Sequence, residues 1–270
     1  MLFPPELVLS ATTAAGVAFT CWLLSVLTRE YSWVDRIWSI VPAVYVAEFA
    51  AAADWADARL NVMTVLTVLW GARLTFNYAR KGGYAPGGED YRWAVLRARM
   101  SPAAYQAFNL LFIAGYQNLL LWLIALPAWM AWTHRGTPLG WLDAVAAIGF
   151  LGLLAGEFVA DEQQWRFHQA KAARRAAGVP EALGFLDTGM WAWSRHPNFF
   201  CEQGQWWVLY LFGVAAGAPW LNVTLVGAVL LTLLFHGSTN FTEAITAQKY
   251  PAYADYQRRT SRLLPWPPST

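Results

Sequence analysis

Residues 139–160 read LGWLDAVAAIGFLGLLAGEFVA, and residues 161–168 continue as DEQQWRFH. A helix crosses a bilayer with about 20 mostly apolar residues. The first run therefore predicts a spanning helix. Its final turns and their extension carry Glu157, Asp161, Gln164 and His168, spaced by four, three and four, so all four share one face.

Six further runs meet the same length criterion, near 7–28, 34–53, 60–79, 104–132, 199–217 and 220–236. The last two are short and part at Gly217-Ala218-Pro219, a glycine/proline turn. Five or six spans result if that pair re-enters without crossing. The expected fold is all-α: one polytopic domain over 1–270, with a seven-helix transmembrane bundle. A basic, aromatic helix at Tyr250–Arg262 is expected to lie at the interface, and Pro265-Trp266-Pro267-Pro268 stops it.

Composition agrees. Apolar residues make up 57% of the 270 and charged residues only 13%, against about 25% in soluble domains. Seventeen Trp and eleven Tyr suit a protein with two membrane–water interfaces. Cys21 and Cys201 lie far apart in apolar runs, which argues against a disulfide framework and for buried thiols. The start, MLFPPELVLS, has neither a basic region nor a small-residue cleavage site, so it reads as the approach to the first span.

Of the nineteen Lys and Arg, only Arg59 and Arg135 fall in the loops after the second and fourth spans. The remainder lie toward the opposite side, which marks the cytoplasm. The N-terminus is thus expected outside and the C-terminus inside, in a bacterial inner membrane.

Polar groups within spans are costly and usually face a bundle interior. Besides the stripe on the fifth span, Arg73, Asn77 and Arg80 share a face of the third. Asn198, Glu202 and Gln205 share one on the sixth. His236, Asn240 and Glu243 follow the seventh, and Asp35, Arg36 and Ser39 open the second. All fall at the cytoplasmic level, which predicts one polar cavity there. Its surrounding arginines suit a phosphate-bearing cofactor, because guanidinium binds phosphate in bidentate fashion; positive-inside bias alone also explains most of them.

Several chemistries are disfavoured. No G-x-G-x-x-G follows a strand, and no G-x-S-x-G appears. The four histidines are dispersed, so no metal site is expected. The basic residues border spans, so nucleic acid is not an expected partner.

The most informative stretch is GMWAWSRHPNFFCE at 189–202. Together with Glu243 and KYPAYADYQRRTSRLLPWPP at 249–268, it resembles the steroid 5α-reductase superfamily, and more closely a bacterial branch of mostly uncharacterised membrane proteins. The likeness runs from about Tyr31 to Pro268 and is strongest from Glu157 onward. It implies a seven-helix bundle that holds NADPH in a cytoplasmic-side cavity and passes hydride to an activated C=C of a lipid-soluble substrate. By position, Asn198 and Glu202 match the family's Asn-x-x-x-Glu cofactor motif. Asp161 and Arg73 match an aspartate of the fifth helix and an arginine of the third. Arg195 and His196 belong to the Arg-His-Pro-Asn form of the motif, while Tyr256 and Arg259 lie in the C-terminal helix. Asn77, Arg80, His168 and Glu243 complete the expected cofactor-binding set.

The chain departs from the steroid-reducing pattern. It lacks the Gln-Glu of the second helix, and Trp70 stands near the family's third-helix Tyr. Asp35 and Tyr78 are the expected catalytic substitutes; Glu48 is the other candidate acid of the second span. The motif is also similar to that of isoprenylcysteine-type membrane methyltransferases, which use S-adenosylmethionine, although their Glu-Glu pair reads Thr242-Glu243-Ala244 here. A non-enzymatic lipid-binding or assembly subunit is the third class. Expected partners are membrane lipids and a lipid-soluble substrate (a sterol-like enone, a polyprenyl chain or an unsaturated acyl lipid), with oligomeric state left open.

Overall fold

The computed structural model describes residues 4–179 and 183–269. The expectation for MLFPPELVLS falls partly on residues 1–3, which lie outside the described residues. Every regular element among the described residues is helical. In chain order these are α1 (Pro5–Thr28), α2 (Trp33–Ile37), α3 (Val41–Ala51), α4 (Ala58–Arg80), α5 (Tyr91–Ala98), α6 (Pro102–Thr133), α7 (Trp141–Ala176), α8 (Pro197–Ala215), α9 (Leu225–Lys249) and α10 (Tyr253–Arg259). Four of them, α1, α6, α7 and α9, are long and apolar enough to cross a membrane.

Local chemistry explains where these bounds differ from the expected spans. The run 34–53 is broken after α2 because Pro42 has no N–H to continue the ladder, and α3 begins with proline in its first turn. The last span begins at Leu225 rather than 220. Asn222 holds the preceding turn: its Nδ2 donates to Pro219 O at 2.9 Å, and its Oδ1 accepts from Thr224 N at 3.0 Å. α9 then runs on to Lys249, so Asn240 and Glu243 lie on its continuous final turns. The C-terminal helix is seven residues long and ends at Thr260, whose backbone is extended at φ −118°, ψ 133°. Within α6, residues Asn109–Tyr116 form a π-helical segment, and Phe108, Phe112 and Tyr116 stack at 4.9 and 5.5 Å along it.

The chain divides into two compact units. Unit 1 comprises Met1–Ala147 and Leu209–Leu230; unit 2 comprises Ile148–Val208 and Leu231–Thr270. In unit 1, α3 packs on α4 and α6, and the core holds Tyr45, Phe49, Leu60, Met63, Trp70, Leu120 and Leu121, all fully buried. At one end of this unit Arg59, only 1% exposed, clasps three chain segments. Its Nε and Nη2 donate to Asp143 at 2.7 and 3.0 Å, and further N–H groups reach Thr137 Oγ1 at 2.7 Å and Pro138 O at 2.9 Å. A lone arginine there would be costly; this one is saturated by carboxylate and carbonyl oxygens.

In unit 2, α7 and α8 approach closely. A Cβ on Gly156 would stand 3.0 Å from Cys201 Sγ, so the missing side chain lets the thiol sit against the α7 backbone. α8 meets α9 through Phe199 stacked on Phe235 at 4.5 Å and through Trp207 Nε1 donating to Thr232 Oγ1 at 3.0 Å.

Candidate functional site

The close approach at Gly156 aligns two polar stripes within unit 2. Glu157 (1% exposed) and Asp161 (4%) face α8, which presents Asn198, Glu202 and Gln205. Gln205 donates to Glu157 Oε2 at 2.7 Å, and Asn198 Nδ2 donates to Asp161 Oδ1 at 3.4 Å. Each amide thereby turns its nitrogen toward a carboxylate. The other ends are left over: Asn198 Oδ1 and Gln205 Oε1 are buried with no hydrogen-bond partner among the described residues. An unsatisfied buried acceptor costs about 1–3 kcal/mol. Two of them on one face of α8, two turns apart, make a surface that asks for donors. Farther along α7, His168 is exposed and pairs with Gln164 at 3.2 Å, at the solvent end of the stripe.

A second cluster in unit 2 centres on Glu243, which is 3% exposed. Arg195 grips it with both arms, Nε to Oε1 at 2.7 Å and Nη2 to Oε2 at 3.0 Å. His196 Nε2 lies 2.9 Å from Oε1, and Gln257 Nε2 donates to Oε2 at 2.8 Å. The remaining arm of Arg195, Nη1, donates to the carbonyls of Gln257 and Thr260. The backbone joins in: Arg195 N donates to Ser261 O at 2.9 Å, His196 N to Arg262 O at 3.1 Å, and Trp266 N to Trp193 O at 2.9 Å. This is a clasp that fastens the C-terminal segment to the start of α8.

The remaining expected residues of this unit extend the clasp. The Tyr256 hydroxyl donates to Trp191 O, and Trp191 Nε1 donates to Ala160 O at 3.1 Å, which ties α10 to α7 through the turn Gly189–Ala192. Burial among neighbouring phenols pushes the Tyr256 hydroxyl well above its usual range, so it stays a donor. Arg259 pairs with Asp187 and rests 5.9 Å from the Tyr256 ring centroid. The expected cofactor set of this unit thus resolves into two groups. Asp161, Asn198 and Glu202 line the acceptor surface; Arg195, His196, Glu243, Tyr256 and Arg259 hold the segment beside it. Arg195 in particular spends both arms of its fork on protein oxygens, so it supports the site and presents no bidentate face to a phosphate.

Unit 1 contains the other expected residues. Asp35 accepts from Trp93 Nε1 at 2.8 Å. The Tyr78 ring stands edge-on to Tyr84 at 5.1 Å, and its hydroxyl is buried with no hydrogen-bond partner among the described residues. Asp35 and Arg36 both lie within electrostatic range of that phenol, whereas Glu48 lies beside Tyr45. Of the two candidate acids, Asp35 is therefore the one associated with Tyr78. Arg36 is bound to Glu30 and donates to Gly83 O at 3.3 Å. On α4, Asn77 is buried and accepts from Arg80 Nε at 3.0 Å, while the Arg80 guanidinium lies 5.2 Å from the Phe76 ring centroid. Arg73, one turn earlier, is half-buried. Arg92 chelates Asp90 at 2.9 and 2.8 Å, and that pairing holds its guanidinium firmly charged.

Three partners were not singled out from sequence: Trp93 for Asp35, Gln257 for Glu243, and the Gly156–Cys201 approach. The first two depend on pairing across 58 and 14 residues, for which no local pattern exists. The third had a local trace, a glycine one residue before a buried Glu in an apolar run.

The family model described as "Protein of unknown function (DUF1295)" matches residues 21–260, and that family includes steroid 5-alpha-reductase-like proteins. The chain is also similar to an uncharacterized protein of Schizosaccharomyces pombe, 38% identical over 258 residues that cover 90% of this chain and 75% of the yeast protein. No solved structure matches it.

Proposed function

The chain belongs to the DUF1295 family, and we propose that it is a membrane-embedded reductase that uses NADPH to saturate an activated C=C bond of a membrane-dissolved lipid. In this reading the helices form a seven-span bundle, with the N-terminus outside and the basic C-terminal segment in the cytoplasm, as the Lys/Arg bias indicates. The observation that carries it is the pair of partnerless buried carbonyls, Asn198 Oδ1 and Gln205 Oε1, beside the carboxylates of Asp161 and Glu157.

A nicotinamide ribonucleoside is rich in donors: a carboxamide NH2 and ribose hydroxyls. Buried acceptors without donors are the chemical complement of such a group. Asn198 and Gln205 would take the carboxamide, and Asp161 and Glu202 the hydroxyls. When bound, NADPH supplies the hydride.

The chain's own residues do the rest. The Arg195–Glu243 clasp fixes the start of α8 and hence the direction of Asn198. In unit 1 the Tyr78 hydroxyl keeps a proton to give, because no acceptor among the described residues takes it. Trp93 Nε1 donates to Asp35 and orients its carboxyl within electrostatic range of that phenol. Reduction adds one hydride to the β-carbon and one proton, from Tyr78, to the activating oxygen, and the enol so formed tautomerises to the saturated carbonyl product. The lipid enters from the bilayer, so the reaction proceeds away from water, where such contacts are stronger.

The test is a thermal-shift panel on purified protein in detergent. NADPH should stabilise the wild type, and both Asn198→Ala and Asp161→Asn should lose most of that shift while retaining their unliganded melting point. Stabilisation by S-adenosylhomocysteine with none by NADPH overturns the reading.

A further inference from the structure

One cationic cluster of unit 2 lies one turn beyond His168 on α7. Lys171 on α7 donates to Tyr250 Oη at 2.8 Å and to Gly184 O at 2.8 Å. Its ammonium is 4.8 Å from the Tyr250 ring centroid. Lys249, the last residue of α9, places its own ammonium 5.3 Å from the same centroid. Two ammonium groups from two helices thus approach one tyrosine, and Lys171 bonds its oxygen. Helix-end chemistry explains Lys249, since cations favour a helix C-terminus. It does not explain a second ammonium brought to the same ring from another helix.

The phenol is held in place for a purpose of its own. A Cβ on Gly184 would lie 1.9 Å from Tyr250 Cε1, so the ring rests on bare backbone. Lys171 pins both partners, through the Gly184 carbonyl and the Tyr250 oxygen. With its oxygen accepting from Lys171, a neutral Tyr250 still has its proton to donate outward. The arrangement therefore presents an O–H donor between two positive charges, on a half-buried residue.

We propose that Lys171, Lys249 and Tyr250 form a binding site for a phosphate group, supplied either by a soluble phosphate compound or by a lipid headgroup. Phosphate suits it because its oxygens accept several hydrogen bonds at once and its charge offsets two ammonium groups at close range. Lysines serve such sites as point charges, with no need for the planar fork that Arg195 has already spent. The site goes beyond the reductase reading and stands or falls separately from it.

The site carries its own reporter. Lys171, and after it Lys249, hold the Tyr250 phenol below its usual range near 10. A bound anion should oppose them and move the phenolate transition upward by about one unit. Full-length protein is titrated from neutral to alkaline pH, and the phenolate absorbance of Tyr250→Phe is subtracted to isolate this residue. Three arms use inorganic phosphate in detergent, NADP+ in detergent, and nanodiscs of phosphatidylglycerol against phosphatidylcholine. An upward shift with phosphate or NADP+ assigns the soluble source; a shift confined to phosphatidylglycerol assigns the lipid. Lys249→Met, at an exposed helix end, should start from a higher transition and show no further shift. Absence of a shift in every arm overturns the proposal, as does an unchanged shift in Lys249→Met.

Discussion

Arg59 and Arg195 perform the same operation in different units, and the difference between them is instructive. Each is a nearly buried guanidinium that grips a carboxylate with two arms and gives its remaining N–H groups to chain oxygens. Asp143, the carboxylate in unit 1, has one other donor: Gly140 N at 2.8 Å. Glu243, in unit 2, has two side-chain donors besides its arginine, His196 at 2.9 Å and Gln257 at 2.8 Å. The first is a pair with no side-chain reserve. The second is a network, and it sits beside the acceptor surface of α8. Side-chain redundancy occurs at the cluster beside the polar face of α8, and a single ion pair ties the loops of unit 1.

The largest expected effect is therefore on the pair without side-chain reserve. Removing one partner of a buried ion pair costs about 3–5 kcal/mol, because the other charge stays buried. Arg59→Ala should reach the upper part of that range, read as loss of melting temperature and of folded yield in detergent. Arg195→Ala should stay near the lower end, about 3 kcal/mol, because His196 and Gln257 still donate to Glu243. Adding His196→Ala to Arg195→Ala should then cost more than His196→Ala does alone, the sign of a shared partner. If Arg195→Ala proves the more damaging single change, donor redundancy is not what separates the two clusters.

How much of this was legible in the sequence follows from range. The four helices that are long and apolar enough to cross a membrane announce themselves by continuous apolar runs, which depend on neighbours only. The stripe Glu157–Asp161–Gln164–His168 was readable for the same reason, as helical spacing fixes a face. Arg195, His196 and Glu243 could each be marked, the first two through the Arg-His-Pro-Asn resemblance. That they saturate one another could not, because Glu243 lies 48 residues from Arg195 and no local rule pairs them. The same gap hid Lys171 and Tyr250, 79 residues apart. The break in 34–53 had a visible cause in Pro42, yet apolar composition across it masked the interruption. Composition reports burial; it does not report where a backbone ladder must stop.

Titration sharpens the contrast between a saturated and an exposed polar group in unit 2. Tyr250 has its phenol lowered by Lys171 and Lys249, whereas Tyr256, buried under Phe185, has its phenol raised. A lowered acid favours the deprotonated form in the folded state. Its contribution to stability is therefore absent below the folded transition, grows as pH rises through it, and is complete above the unfolded value near 10. Between wild type and Lys171→Met, the melting-temperature difference should widen in the wild type's favour as pH climbs toward that value. A difference that narrows over the same interval contradicts the assigned sign.

The smallest expected effect on stability is the most informative about function, and it comes from comparing two hydroxyls. Tyr256 donates to Trp191 O, so Tyr256→Phe leaves a buried carbonyl short of a donor and should cost about 1 kcal/mol. The Tyr78 hydroxyl is buried without a protein partner among the described residues. Deleting it removes an unsatisfied group and strands nothing, so Tyr78→Phe should leave the melting temperature unchanged or raise it slightly. An unpaired buried hydroxyl carries a stability cost that the proposed chemistry would turn to use. Under the proposed chemistry that use is proton delivery, so Tyr78→Phe should abolish NADPH-dependent reduction while NADPH still stabilises the variant. Equal destabilisation by the two substitutions would make the Tyr78 hydroxyl a structural group like that of Tyr256 and would leave unit 1 without its proton donor.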